Sequence, residues 1–143
     1  TMSERTLITV SNDPVLSRSK ETTVTATTTF IAADAGAGTY NVATDAIVMN
    51  LPAITADTIG MEFIFRNTGA DGAVLLSIDP ASTDGINGTI ANAAADAVAS
   101  GVVGKKLNNT KATANNGDYV TLKAVALTKW FIVGGVGIWA SEA

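Results

Sequence analysis

Carboxylates are the main candidates for chemistry in this chain, because it has 13 acidic residues but no histidine and no cysteine. Two converging carboxylates could hydrolyse a glycosidic bond, and a clustered set could bind Ca²⁺. However, Asp71, Asp79 and Asp84 each directly precede a glycine or a proline. Aspartate favours such turns because its side chain bonds to nearby backbone groups. The pattern therefore predicts turn formers at these positions, and no segment has the ligand spacing of an EF-hand loop.

Other catalytic and cofactor chemistries lack their usual residues. Without histidine or cysteine, the chain has no triad base, no Cys/His zinc site and no disulfide. The glycines of residues 134–137 do not match a phosphate loop. We therefore predict no catalytic residue, no cofactor and no metal site, and we expect that the protein is not an enzyme.

The two tryptophans, Trp130 and Trp139, are the remaining candidates for ligand binding. Exposed tryptophans can stack on sugar rings, as in carbohydrate-binding modules. The alternation of apolar residues around Trp130 instead assigns its side chain to an inward face. A place in the core or in a subunit interface is therefore the favoured interpretation.

Charge is unevenly distributed along a chain whose net charge is −4. From residue 30 to 100 the only basic residue is Arg66, whereas residues 101–129 contain five lysines and one acid, Asp118. This asymmetry could help like subunits to dock or steer the protein to a charged surface, but solvated loops of chance composition explain it equally well. An acidic chain with few arginines predicts no nucleic-acid binding.

The apolar pattern does not predict a membrane protein. No apolar run approaches the roughly 18 residues needed to cross a bilayer. The N-terminal residues also lack the basic and apolar regions of a secretory signal, so we expect neither membrane insertion nor secretion.

Strand periodicity dominates the rest of the sequence. In residues 61–66, Met61, Phe63 and Phe65 share one face, and residues 21–31, 73–79 and 118–126 alternate in the same way. Residues 67–72 predict a hairpin-type connection, since Asn, Asp and Gly tolerate positive φ. The Ala-rich residues 90–103 fit either a short helix or a packed loop.

Eight or nine short strands separated by turns are typical of a sandwich or a barrel. The length of 143 residues suits one domain. We therefore predict an all-β fold: an antiparallel β-sandwich of jelly-roll or β-tulip type that spans residues 21–143.

Residues 1–20 show no sustained period and predict either an arm that orders against a neighbour or a frayed terminus. We assign them as an extended N-terminal arm. If the arm binds a partner, its apolar residues are the candidate contacts. These are Leu7, Ile8, Val10, Val15 and Leu16.

The order of elements in residues 51–88 carries a family resemblance. A Leu-Pro strand end leads to Gly-x-x-Phe-x-Phe-x-Asn (residues 60–67), a Gly-rich turn, Val-x-x-x-Ile (74–78) and Ile-x-Gly (86–88). A late Tyr-Val-x-Leu strand (119–122) and a Trp strand at 130 close the pattern. This order resembles the small β-structured virion proteins of tailed bacteriophages, over about the last two thirds of the chain. The Ala-rich segment is longer than the family pattern, and the N-terminal residues have no counterpart in it.

The resemblance implies a structural role without catalytic residues. The same pattern occurs in head decoration (cement) proteins and in tail-fibre or tailspike modules, and a stand-alone chain with its own arm favours the first. A decoration protein would bind the major capsid protein on the outer capsid surface and bridge neighbouring subunits. It would be made in the cytoplasm of the host bacterium and act as a homo-oligomer, with a trimer favoured over a dimer. The alternative is a receptor- or glycan-binding module of a phage tail.

Overall fold

The computed structural model describes residues 19–90 and 97–142. In these two ranges the chain forms twelve β-strands and two short 3-10 turns, Ala32–Asp34 and Lys111–Thr113. The strands are β1 (Glu21–Val24), β2 (Thr28–Thr29), β3 (Thr39–Val42), β4 (Ile47–Asn50), β5 (Glu62–Asn67), β6 (Leu76–Asp79), β7 (Gly85–Ile90), β8 (Ala97–Ser100), β9 (Leu107–Asn109), β10 (Tyr119–Ala126), β11 (Lys129–Val136) and β12 (Trp139–Ser141).

The strands form two sheets, which confirms an all-β, two-sheet fold. The large sheet has the order β1-β3-β5-β10-β11-β7-β8, and the small sheet has the order β12-β9-β6-β4-β2. The first six strands alternate between the sheets, so the chain winds around the core and lays β1, β3 and β5 side by side in parallel. The same winding places β2, β4 and β6 in parallel in the small sheet.

This winding corrects the expectation of an antiparallel sandwich. Five of the ten strand pairings are parallel, four of them in the wound part and the fifth between β7 and β11. The other five are antiparallel, and they include the β10–β11 hairpin. Both sheets are therefore mixed.

Three local predictions also differ from the structure. Residues 21–31 are two strands in different sheets, because the chain turns a corner at residues 25–27. Residues 67–72 do not close a hairpin, since β5 and β6 lie in different sheets. In the Ala-rich segment, Ala97–Ser100 is neither helix nor loop but strand β8, paired with β7, while residues 91–96 lie outside the described residues.

Large apolar side chains fill the space between the sheets. The predicted inward faces are confirmed for the three residues of the 61–65 face, and likewise for the faces containing Leu76 and Leu122, all of which are buried. Phe30, Tyr40, Phe63 and Phe65 pack together, with the Phe30 and Tyr40 ring centroids 4.8 Å apart in an edge-to-face arrangement. Burial of each such side chain stabilises the fold by about 1.5–3 kcal/mol.

A buried polar network links the sheets at one end of this core. The Asn67 side-chain amide, at the end of β5, donates to Asn109 Oδ1 of β9 (2.8 Å). Asn109 in turn donates to the Asp118 carboxylate (3.2 Å) and to the Ile138 carbonyl (3.1 Å). Because the members are almost fully buried and bonded to one another, the network fixes how the two sheets are placed.

The two flanks of the molecule differ. On one flank β8 of the large sheet and β12 of the small sheet contact each other. On the other flank the last of the described strands are β1 and β2, joined by the corner at residues 25–27. We call β1, β2 and this corner the open edge.

Candidate interaction surfaces

The β10–β11 hairpin presents a row of exposed apolar side chains. Leu122, Ala124 and Trp130 point inward and are buried, so alternate residues on both strands point to the outer surface. The large apolar side chains on and beside this hairpin are 37–54% exposed. They are Val125, Leu127, Phe131, Val133 and Val136, and together they define the hairpin face. Large contiguous apolar patches are uncommon on soluble monomers and mark interaction sites.

Two neighbouring loops extend the hairpin face around its turn. The Gly60 amide donates to the Ala124 carbonyl (2.7 Å), which brings the exposed Ile59 next to the end of β10. The Gly85 amide donates to the Thr128 carbonyl (2.9 Å), and the Gly104 amide to the Asp84 carbonyl (2.9 Å). The exposed Val102–Val103 turn therefore lies at the same end of the sheet.

A glycine allows this close approach of the 101–104 loop. A Cβ atom on Gly85 would lie 2.3 Å from the Gly101 carbonyl oxygen, a distance that no side chain can occupy. The backbone of β7 thus meets that of the loop directly.

Charged groups border the hairpin face. Lys123 lies opposite Phe131 in β11 and opposite Glu62 in β5. In the part of the chain that the structure describes, the side chains of Lys123 and Lys129 make no hydrogen bond or ion pair. By contrast, Lys106 pairs with Glu142 and Lys111 with Asp45, so part of the charge asymmetry along the sequence is neutralised within the fold.

The three aspartates discussed in the sequence analysis lie in or next to a turn or at the end of a strand. Asp71 lies in a turn and accepts a hydrogen bond from the Asn116 amide (2.8 Å). Asp84 directly follows a turn, is buried, and accepts one from the Ile54 amide (3.0 Å). Asp79 ends β6, and burial raises the pKa of its carboxyl. Within the described ranges no group of three or more acidic residues is arranged to hold a metal ion.

Three exposed carboxylates have lowered pKa values. A hydrogen bond from Asn41, and then the charge of Arg66, lower the pKa of Glu21. A hydrogen bond from Lys111 lowers the pKa of Asp45, and the Lys106 backbone amide does the same for Glu142. These interactions favour the charged forms. Each of the three carboxylates also forms a surface ion pair, Glu21 with Arg66, Asp45 with Lys111 and Glu142 with Lys106.

Both tryptophans lie in the core. Trp130 is 0% exposed and Trp139 is 2% exposed, and the Trp139 Nε1 donates to the Val136 carbonyl (3.0 Å). The core interpretation of Trp130 is therefore confirmed. Neither ring is available to stack on a sugar.

A pocket of about 370 Å³ lies at the open edge. Its floor is buried and apolar, formed by Val24, Phe30 and Tyr40, and Thr23 and Ala26 lie on its exposed rim. The complete lining is Thr22, Thr23, Val24, Thr25, Ala26, Thr28, Phe30, Asp34 and Tyr40.

Tyr40 is held in place beneath this pocket. Its hydroxyl donates to the Asp34 carbonyl (2.7 Å), and burial, followed by the nearby Asp34 charge, raises its pKa. The alternation of threonines predicted an exposed face at residues 21–31 but gave no sign of a pocket, because the pocket forms only where the corner separates β1 from β2.

The predicted arm contacts Leu7, Ile8, Val10, Val15 and Leu16 lie outside the described residues. The described chain enters the fold at the open edge, where the Lys20 carbonyl accepts a hydrogen bond from the Thr39 amide (2.9 Å).

Comparison with known protein families and with curated proteins gives no match. Within residues 19–90 and 97–142, no helix is long and apolar enough to span a membrane.

Proposed function

We propose that this chain is a virion structural protein: a capsid decoration protein that binds the outside of a phage capsid and cements neighbouring subunits of the major capsid protein. The observation that carries this proposal is the hairpin face, a large apolar surface on a two-sheet scaffold. The order of strand and turn motifs in residues 51–88, similar to that of tailed-phage virion proteins, supports it further.

The hairpin face suits contacts between copies of the chain. Its apolar centre is bordered by lysines (Lys123 and Lys129) and by the acid Glu62. A surface that carries positive and negative charges around an apolar centre can complement itself across a symmetry axis. We propose that this face forms the homo-oligomer, with a trimer favoured.

The capsid contact is assigned to the N-terminal arm, through Leu7, Ile8, Val10, Val15 and Leu16. A modest interface becomes effective on a shell because it is repeated many times and each bound copy stabilises the assembled state. The protein would be made in the bacterial cytoplasm and end on the capsid surface. A jelly-roll or β-tulip relationship stays a prediction, to be tested by structural comparison with such proteins.

Light scattering on variants tests the role of the hairpin face. We expect an oligomer for the unmodified chain and monomers for Phe131→Glu and Val133→Glu, because a buried unpaired charge disrupts an apolar interface. Ile31→Glu is the matched control, since Ile31 is an equally apolar, exposed residue outside this face, and it should leave the oligomer intact. A monomeric unmodified chain would refute this assignment.

Co-sedimentation with capsids tests the proposed function itself. Capsids of the parent phage that lack the protein should bind the unmodified chain at saturable occupancy. Replacing Leu7, Ile8 and Val10 by Asp should remove this binding without changing the circular dichroism spectrum. Failure of the unmodified chain to bind any such capsid would exclude a decoration role.

A further inference from the structure

The open edge lacks the usual protection of an exposed strand. Among the described strands, β1 pairs only with β3, and β2 only with β4. Natural edge strands are commonly protected by lysine, proline or inward-pointing charges. Residues 21–31 contain no proline and no lysine, and their one charged side chain, Glu21, is held over the sheet by Arg66 and Asn41 (both 2.9 Å). Within the residues that the structure describes, the free side of β1 therefore has no partner strand.

The pocket adds a binding site for side chains beside this edge. Its volume of about 370 Å³ is at the lower end of the range of ligand sites, roughly 300–1,000 Å³. A strand laid along β1 would direct alternate side chains toward the buried ring of Phe30 and the side chain of Val24. Since β1 has only four residues, few ladder hydrogen bonds can form, and burial of apolar side chains must supply much of the binding.

We propose that the open edge and its pocket form an acceptor site for an extended apolar segment, and that the occupant is the chain's own N-terminal segment, residues 1–18. Leu7, Ile8 and Val10 supply the apolar side chains. The proposal does not rest on the decoration function, because it concerns only how the chain covers its own sheet edge.

Position and length favour this occupant. The segment joins the fold at the open edge itself, where Lys20 bonds to Thr39. In the wound part of the fold, one turn from β1 to its neighbour β3 advances the chain by 18 residues, from Glu21 to Thr39. A turn four residues shorter, from Leu7 to Glu21, would bring the apolar residues 7–10 beside β1, and the 18 residues before Ser19 are enough for it.

Tethering also decides between the chain's own segment and a second copy. A segment joined by a few residues has an effective concentration of the order of millimolar at its site. A second copy present at micromolar concentration competes poorly against it. The composition of residues 6–10, Thr-Leu-Ile-Thr-Val, suits strand addition because four of the five side chains are β-branched.

Engineered cysteines test the proposal directly, since the native chain contains none. Three double variants of the full-length chain are made. Each combines Ala26→Cys at the pocket rim with one of Leu7→Cys, Ile8→Cys or Val10→Cys. A disulfide requires Cα atoms within about 7 Å. We expect at least one pair to form an intrachain disulfide under mild oxidation. Val133→Cys replaces Ala26→Cys in the matched control and should give none.

The alternative outcomes each overturn the proposal. Interchain disulfides between Ala26→Cys and the segment would identify a second copy as the occupant, and the absence of any cross-link would mean that the segment does not occupy the site.

Amide hydrogen exchange in β1 gives a readout without cysteines. Ala26→Arg should block the pocket and accelerate exchange at β1 at least tenfold, whereas Thr29→Arg, exposed but outside the lining, should leave it unchanged. Equal exchange in both variants would also contradict the proposal.

Discussion

At the scale of single residues, Asn109 is the centre of the polar network between the sheets. Its side chain donates to Asp118 and Ile138 and accepts from Asn67, so its removal leaves buried polar groups without partners. We expect Asn109→Ala to lower the free energy of unfolding by about 2–3 kcal/mol. Urea titration measures the loss.

The neighbouring Asn108 provides the control for this experiment. Its Oδ1 is buried and has no hydrogen-bond partner among the described residues. Asn108→Ala should therefore cost much less than Asn109→Ala. Equal losses would show that the network contributes no more than side-chain packing.

The indole of Trp130 combines a large apolar surface with an unsatisfied donor. The side chain is fully buried against Phe63, yet its Nε1 has no partner in the described structure. Trp130→Ala should cost about 3–5 kcal/mol because it opens a cavity. Trp130→Phe keeps part of the packing and removes the unpaired donor, so we expect it to cost clearly less. Chemical denaturation of both variants compares the cost of the lost packing with the effect of removing the unpaired donor.

The surface carboxylates predict how stability responds to acid. The pKa values of Glu21 and Glu142 are lowered from 4.5 and that of Asp45 from 3.8, so the fold favours their charged forms. Their contribution is present above these usual values and is lost as the pH falls through the lowered pKa values. Urea midpoints for the unmodified chain and for Glu21→Gln should therefore differ at pH 7 and converge at acid pH.

The pKa of Asp79 is shifted in the opposite direction, so its effect on stability has the opposite sign. Burial raises its pKa above 3.8, so the folded state disfavours its charged form at neutral pH. Asp79→Asn should then be more stable than the unmodified chain at pH 7, and this advantage should vanish when the pH is below 3.8. A constant difference at all pH values would contradict the assigned cause.

At the scale of elements, the turn between β10 and β11 contains a strained residue. Thr128 has φ of 63°, a left-handed conformation that a β-branched residue adopts only at a cost. Thr128→Gly relieves this strain, and we expect a gain of about 0.5–1 kcal/mol in the free energy of unfolding. Leu127→Gly, at the other position of the turn, should give no gain.

Alternation along the sequence predicted inward faces but not strand partners. The faces of β5, β6 and β10 were found because Met61, Phe63 and Phe65, for example, alternate with half-exposed residues. The two-residue alternation of apolar and polar side chains continues unchanged through a corner. It therefore does not reveal the break at residues 25–27 or the change of sheet between β5 and β6. Pairing depends on contacts between residues far apart in sequence, which alternation does not report.

The candidate surfaces were harder to predict than the core. In β11, apolar residues occupy both faces, with Trp130 inward and Phe131 and Val133 outward. A continuous apolar run of this kind does not tell which residues are buried. The hairpin face became visible only when the sheet was assembled, as did the pocket.

At the scale of the whole molecule, the two proposals compete for the same residues. Leu7, Ile8 and Val10 cannot fill the pocket and contact a capsid protein at once. Capsid docking would require the segment to leave the open edge, and its affinity would be reduced by the fraction of time that the edge is occupied. We expect Ala26→Arg, which blocks the pocket, to bind parent-phage capsids more tightly in co-sedimentation than the unmodified chain. Thr29→Arg is again the control.

The alternation of the first six strands between two sheets also has a kinetic consequence. Their ladder partners are 18 to 29 residues apart, as for Glu21 with Thr39 and Ile47 with Leu76. The β10–β11 and β7–β8 pairs close over short connections instead, whereas the β7–β11 pairing that joins them links residues 44 apart, such as Gly85 and Lys129. Because long loops must be closed before distant pairs form, folding should start in the β10–β11 hairpin, and the wound strands should dock later. In stopped-flow experiments, Leu122→Ala should slow refolding, whereas Val42→Ala should mainly accelerate unfolding.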